Sequence, residues 1–471
     1  MIGAPERSLW RRVSSVVAGI MVAGIMVGAL SSTPLAAQKG GISTTISPTS
    51  SSTSSPTNSP ASGTTRFEVD GVRIIHRKTE NNLVVANLYL LGGTRLATQE
   101  NAGLESMLLE VTERGSRKYP GDQLRRALVR TGSEIGVIPH EDWTVYALRT
   151  TTDRLDSTWN IYTDRLLQPT LSAEGFAFVK ENRLAGIRQR VDSPEALLEY
   201  LADSVAFAGH PYGLSPIGTE QSLTLITREQ LVAFHRDQMV TSRVLLVVVG
   251  NVTRERLEAM VHTSLGTLPR GSYVWSAPSV GDARPGSAVL IEPRRIPTNY
   301  ILGWWEGPPA NHPDVPALRV ASAVLSGRMF GEIRSRRNLT YAVEARFRDR
   351  AITSGGLYVS TTRPDTTLAL MRSEVRNMQS FAIDTKNLRP LIQQFLTEYF
   401  LDNETSGAQA DFLARAELYR GDFRAADRFV ADLRAVTGED VLRVSRQYMK
   451  NVRFAYVGNP SQVNRFRMMA F

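Results

Sequence analysis

The chain has 471 residues, 42% hydrophobic and 21% charged, with 55 Lys and Arg against 46 Asp and Glu for a formal charge of +9. That length accommodates two or three ordinary domains, and that balance belongs to a globular protein able to bury a core. Cysteine is absent, which excludes disulfides, thiolate metal sites, a cysteine nucleophile and a lipid anchor on an N-terminal cysteine.

Arg7, Arg11 and Arg12 precede an apolar run from Val16 to Leu30, and Pro34-Leu-Ala-Ala37 offers small residues for cleavage. Residues 1–37 therefore read as a secretory signal peptide. The run is shorter than the roughly 20 residues of a membrane span, so the expected location is periplasmic or secreted, with membrane contact only if the leader is uncleaved. Removing its three Arg and one Glu leaves 52 basic and 45 acidic residues, a charge of +7. These charges are scattered, without a long Lys/Arg block, which argues against nucleic acid as a partner. Residues 38–65 are dominated by Ser, Thr, Pro and Gly and read as a disordered linker.

Two similar stretches follow, 66–280 and 287–471, with the Arg284-Pro285 region between them as the connection. The first opens with a strand at Val72–His76 and a second ending in Leu91-Gly-Gly-Thr94. A helix follows, with Leu104, Met107, Leu108 and Val111 as its apolar stripe. Ser133-Glu-Ile-Gly-Val-Ile-Pro139 reads as an edge strand. Helices are expected at Leu155–Leu167, Ser172–Val191, Pro194–Ala208 and Thr227–Met239, and the buried strand Val244–Asn251 closes the unit. The second stretch repeats the plan, with strands at Ala288–Glu292 and Asn299–Trp305, a helix at Val315–Arg337 and a closing strand at Phe454–Asn459. Strands at the ends and helices between them predict an α+β fold of two homologous halves, each a mainly antiparallel sheet covered by helices.

On the helix near residue 104, Ala102, Glu105 and Ser106 fall on the side opposite the apolar stripe, which should face a cavity or solvent. With His at 102 and 106 this would be a His-x-x-Glu-His zinc motif, two imidazoles flanking a carboxylate. Alanine has no donor atom and a neutral serine hydroxyl is a poor zinc ligand. Together with Arg114-Gly-Ser-Arg-Lys-Tyr-Pro120, Thr131-Gly-Ser-Glu-Ile-Gly-Val137, His210-Pro-Tyr-Gly-Leu-Ser-Pro-Ile-Gly218 and Val244-Leu-Leu-Val-Val-Val-Gly-Asn251, the arrangement resembles the insulinase/pitrilysin family of metallopeptidases, which includes the mitochondrial processing peptidase.

The resemblance implies a clamshell-like chamber formed by the two halves, and a third ligand on a helix 70 to 80 residues beyond the histidine pair. Alignment places Gly186 there, with Glu181 the nearest carboxylate. No metal is therefore expected in this chain. A serine nucleophile at Ser106 needs a base that none of His76, His140, His210, His235, His262 or His312 is placed to supply. In Gly331-Glu-Ile-Arg-Ser-Arg-Arg-Asn-Leu-Thr-Tyr-Ala-Val343 the resemblance assigns Arg334 and Tyr341 to the substrate carbonyl and its developing oxyanion. The expectation is a non-catalytic, zinc-free subunit. It lends Arg334 and Tyr341 to a homologous, zinc-binding metallopeptidase partner acting on a peptide substrate. The alternative is a clamshell scaffold or peptide-binding protein without proteolysis.

Overall fold

The computed structural model describes residues 63–276 and 286–471. The expected signal peptide, most of the linker and nearly all of the connection at 281–286 lie outside the described residues. The first half runs β1 (Thr64–Val69), β2 (Val72–Lys78), β3 (Leu83–Leu91), α1 (Leu104–Val111), α2 (Asp122–Thr131), β4 (Glu134–Pro139), β5 (Trp143–Thr151), α3 (Leu155–Leu167), α4 (Ala173–Asp192), α5 (Pro194–Ala206), α6 (Glu220–Leu225), α7 (Arg228–Gln238), β6 (Val244–Gly250) and α8 (Arg254–His262). The second half runs β7 (Ala288–Pro293), β8 (Asn299–Pro309), α9 (Val315–Met329), β9 (Thr340–Arg348), β10 (Ile352–Thr361), α10 (Pro364–Ser380), α11 (Thr385–Asp402), α12 (Ser406–Arg420), α13 (Ala425–Arg434), α14 (Gly438–Tyr448), β11 (Arg453–Gly458) and α15 (Arg465–Met468). The first strand begins at Thr64, so the stretch read as linker ends sooner than expected. Among the described residues no helix is long and apolar enough to cross a membrane.

The sheets repeat one topology. The first is ordered β1-β2-β6-β3-β5-β4 and the second β7-β11-β8-β10-β9. Among the described residues only β2–β6 and β7–β11 pair in parallel, as crossovers through a helical layer require. The closing strand Val-Leu-Leu-Val-Val-Val-Gly of β6 is buried at every residue, because β-branched side chains pack on both faces of a central strand. In the second sheet Trp304 and Trp305 on β8 lie opposite Gly356 and Gly355 on β10. A Cβ at either glycine would come within about 2.4 Å of the facing indole, so the indoles occupy the space that side chains there would fill.

Each sheet has two apolar faces, and its own helices cover only one. In the first half, Ile74, Val84, Leu88, Leu246 and Val248 pack under α1, α3 and α7. The opposite face, with Val85, Tyr89, Leu245, Val247 and Val249, packs against Leu413, Ala414, Leu418 and Tyr419 of α12 from the second half. Reciprocally, Leu197, Leu198 and Ala202 of α5 cover Leu302, Trp304, Tyr358, Ala455 and Val457 of the second sheet. Small residues on α12 and α5 let helix and sheet approach closely. Ser193 caps α5 by accepting from the Ala196 N–H, with Pro194 at its first turn.

Charge registers this exchange. Glu195, Glu199 and Asp203 recur every fourth residue on α5 and so form one stripe. Glu195 accepts from the Tyr358 hydroxyl at 2.7 Å. Glu199 pairs with Arg346 and, at 2.8 Å, with Arg348, while Asp203 also pairs with Arg348. Because each half supplies the cover for the other's sheet, the two should unfold in one transition. Expressed separately at a break within 277–285, each half should aggregate by its uncovered face. A soluble, monomeric single half on gel filtration would contradict this packing.

Candidate functional site

The helix expected near residue 104 starts later than its sequence pattern implies. Gly103 takes φ +90° and is the N-cap, so α1 begins at Leu104. Its left-handed backbone is tolerated because it has no Cβ; a Cβ there would sit 2.8 Å from Gly218. Ala102 therefore lies in the turn before the helix, its carbonyl accepting from the Ser222 hydroxyl at 2.8 Å. An imidazole at 102 would not stack one helical turn from position 106.

The polar side of α1 does not face solvent. Every residue of the helix except Glu110 is buried, and the cavity beside Asn101, Glu105, Ser106, His140 and Thr144 has a volume of only about 20 Å³. That is room for about one water and no peptide. Glu105 accepts from the Thr144 hydroxyl at 2.6 Å and pairs with the Arg243 guanidinium. Arg243 is 1% exposed and also donates to the Leu91 carbonyl at 2.8 Å and the Gln238 carbonyl at 3.1 Å. The carboxylate is thus a structural ion-pair partner, with both oxygens engaged.

Ser106 donates to the Pro216 carbonyl at 2.8 Å and accepts from Arg183 at 2.9 Å. Arg183, on α4, pairs with Glu110 at 2.6 Å and donates to the Ile217 carbonyl at 3.2 Å. Alignment to Gly186 at the third position is thereby corrected. Gly186 and Glu181 are exposed, and the residue that α4 turns toward Ser106 is Arg183, 77 residues downstream. The inward stripe of α4, with Val179 in the core and Phe176 and Leu184 packed against it, carries Arg183 with it and turns Glu181 outward, a periodicity legible in the sequence. The residues present do not fit zinc. A methyl, an engaged hydroxyl and a guanidinium supply no imidazole or carboxylate donors, and a fixed cation repels another. Among the described residues no cluster of three or more His, Asp or Glu is placed to hold a metal.

Nor does Ser106 have a base. His235 Nε2 contacts the Leu166 carbonyl at 2.8 Å, His262 Nδ1 contacts Asp70 at 2.6 Å, and His312 and His210 accept backbone N–H groups through Nδ1. Burial lowers the pKa of His76 and of His140, and His140, although it lines the same cavity, makes no hydrogen bond to Ser106, whose hydroxyl is engaged by the Gly103 and Pro216 carbonyls and by Arg183.

The 210–218 segment links this pocket to the junction between halves. Its Pro216 and Ile217 carbonyls meet Ser106 and Arg183, while its Tyr212 hydroxyl donates to Asp142 at 2.8 Å. Asp142 is 2% exposed and accepts further from the Tyr419 hydroxyl at 2.8 Å and the Ala351 N–H at 3.1 Å, both of the second half. Burial raises its pKa against those donors. Beside it, Glu141 pairs with Arg350 at 3.0 Å. Burial alone would raise the Glu141 carboxyl, but the Arg350 and Arg348 guanidiniums outweigh it and hold the pKa at about 2. Sequence patterns did not mark Asp142, because its partners are distant in the chain.

Arg334 and Tyr341 come together as a pair. A π-helical turn, Phe330–Ser335, follows α9 and carries Arg334, and Tyr341 stands near the start of edge strand β9. The Arg334 guanidinium lies 5.0 Å from the Tyr341 ring and 5.0 Å from the Phe330 ring. Tyr341 is 82% exposed and Arg334 half-buried, so the pair presents a phenol hydroxyl to solvent with a guanidinium beside its ring. Neither residue lines the cavity at Ser106. The edge strand expected at 133–139 is β4, at the margin of the first sheet.

Comparison with known proteins gives this geometry its context. Residues 225–395 match the family model described as the peptidase M16 inactive domain. The chain is 26% identical over 349 residues to an uncharacterized zinc protease of Mycobacterium leprae (strain TN), covering 72% of this chain and 78% of that protein. It is 24% identical over 402 residues to the mitochondrial-processing peptidase subunit beta of Blastocladiella emersonii, covering 80% and 85%. The crystal structure of a peptidase M16 inactive domain from Pseudomonas fluorescens shares the fold, with a TM-score of 0.77 at 18% identity, covering 84% of this chain and 98% of that one.

Two expectations follow. Replacing Glu105 by Ala strands the buried Arg243 charge and should cost about 3–5 kcal/mol in chemical denaturation, with most of the loss absent from the Glu105→Ala/Arg243→Met pair. A carboxyl depressed in the folded state contributes stability above its unfolded pKa, and that contribution is lost as pH falls through the folded value. The Glu141 contribution should therefore be complete above about pH 5 and disappear toward pH 2. Glu141→Gln should flatten the fall in melting temperature across that window, and an unchanged acid profile would remove Glu141 from it.

Proposed function

We propose that this chain, similar to the M16 peptidase family and matched by its inactive-domain model over residues 225–395, is an exported subunit without its own metal centre that lends Arg334 and Tyr341 to a zinc-binding homologue. One contrast carries the reading. Where the resemblance asks for metal ligands, the chain holds Ala102, Ser106 and Arg183, the last two hydrogen-bonded to each other at 2.9 Å. Where it asks for oxyanion donors, Arg334 and Tyr341 lie side by side, Tyr341 open to solvent and Arg334 half-buried beside it.

In this reading the partner supplies the zinc and the activated water. This chain's residues bind and orient. A guanidinium and a phenol hydroxyl held on a helix end and a strand are donors fixed in advance where negative charge develops on a substrate carbonyl. The halves of this chain meet through filled apolar clusters, so the space for an extended peptide is assigned to the junction with the second chain. Edge strand β4 offers unpaired backbone groups for such a peptide to join. The leader-like residues 1–37 support export of the chain.

Co-expression with a His-x-x-Glu-His homologue should give a complex that cleaves peptides, while the isolated chain neither retains zinc nor cleaves. Arg334→Ala or Tyr341→Ala should lower turnover of the complex by about 10²-fold, with melting temperature and assembly unchanged because both side chains are at the surface. A complex that forms but never cleaves would favour a scaffold role. Stoichiometric zinc with unaided cleavage by this chain would refute the proposal.

A further inference from the structure

The stretch from Arg114 to Arg130 concentrates charge. It contains Arg114, Arg117, Lys118, Arg125, Arg126 and Arg130 against one carboxylate, Asp122. All six cations are exposed. Within it only Arg125 forms an ion pair among the described residues, a 3.9 Å contact to Asp122 in which both side chains are about two-thirds exposed. The neighbouring Glu113 is already taken by the buried Arg165 at 2.9 Å. Arg114 lies 4.3 Å over the ring of Phe178 on α4, itself 48% exposed.

The helix gathers its own three cations on one side. In α2, Leu124 and Ala127 are buried and Leu128 packs against the core, while Arg125, Arg126, Val129 and Arg130 occupy the opposite arc of about 140°. The turn carrying Arg117 and Lys118 leads straight into the helix, joined by the Gln123 N–H to Pro120 carbonyl bond. Among those cations Val129 is 72% exposed. A protein interface concentrates apolar and aromatic groups at its centre and is depleted of charge there. This surface has the reverse composition, cations around the shallow Val129, with Phe178 at its margin stacked under Arg114. That suits a plane of anionic headgroups, to which each nearby cation adds attraction within a Debye length.

We propose that α2 and the turn before it form a peripheral contact with an anionic lipid surface, Val129 entering the headgroup layer and the six cations meeting lipid phosphates. This contact does not depend on the subunit role proposed above, since it uses neither Arg334 nor Tyr341. The test adds purified full-length chain to preformed vesicles of phosphatidylcholine, with and without 30% phosphatidylglycerol, and measures co-sedimentation at rising salt. Association should require phosphatidylglycerol and weaken steeply as salt rises. Arg125→Gln/Arg126→Gln/Arg130→Gln should lower the partition coefficient by about 100-fold. A control, Arg376→Gln/Lys386→Gln/Arg389→Gln, removes equal charge from α10 and α11 and should change it little. Equal losses in the two variants, equal binding to neutral vesicles, or no sedimentation with anionic vesicles would each overturn the assignment.

Discussion

The exchange of covering helices between the halves is the constraint on which the rest of this molecule depends. Two sheets each have an apolar face that their own helices leave open, and burying such a face contributes roughly 25 cal/mol per Å². Here α12 covers the first sheet and α5 the second. The relation between the halves is thus set by core packing, and inter-domain sliding would uncover both sheets together. The acidic stripe of α5 against Arg346 and Arg348 adds register to that packing, and the three donors converging on Asp142 add a second fixed point.

Within this frame the first-half pocket has become part of the core. A metal ion ties several segments through one centre. Here, fixed guanidiniums tie α1 to its surroundings. Arg243 holds Glu105 to the ends of β3 and α7, and Arg183 holds Ser106 and Glu110 to the 210–218 segment. Cations paired and hydrogen-bonded in this way satisfy the rule that buried charge needs a partner. The cost is chemical: the Glu105 oxygens and the Ser106 hydroxyl are already held by fixed donors, and the cavity admits no peptide. The second half differs, because Arg334 and Tyr341 remain at the surface, where a ligand can reach both.

How much was legible depended on the range of the interaction. The repeated order of strands and helices follows from local periodicity, which is why Leu155–Leu167 was found as read and β6 as a strand buried on both faces. The replacement of imidazoles at 102 and 106 is a matter of composition and needs no coordinates. The side of α1 that carries Glu105 lines a small cavity, one of the two surroundings its pattern allows; amphipathicity reports which face is apolar and cannot register that the polar face is also buried, against Arg243 from 138 residues away. The start of α1 was misjudged because a glycine permits a left-handed turn without demanding one; Gly218, brought against Gly103 by the fold, decides it.

The sequence by itself determined that this protein is a twofold α+β repeat without metal-binding side chains at its degenerate motif, since hydrophobic spacing and donor chemistry are properties of residues in order. Only the tertiary structure decided that Arg183 stands beside Ser106, that each half roofs the other's sheet, and that Arg334 meets an exposed Tyr341. Those outcomes are set by contacts between segments dozens to hundreds of residues apart, and their geometry comes from packing, which no local pattern encodes.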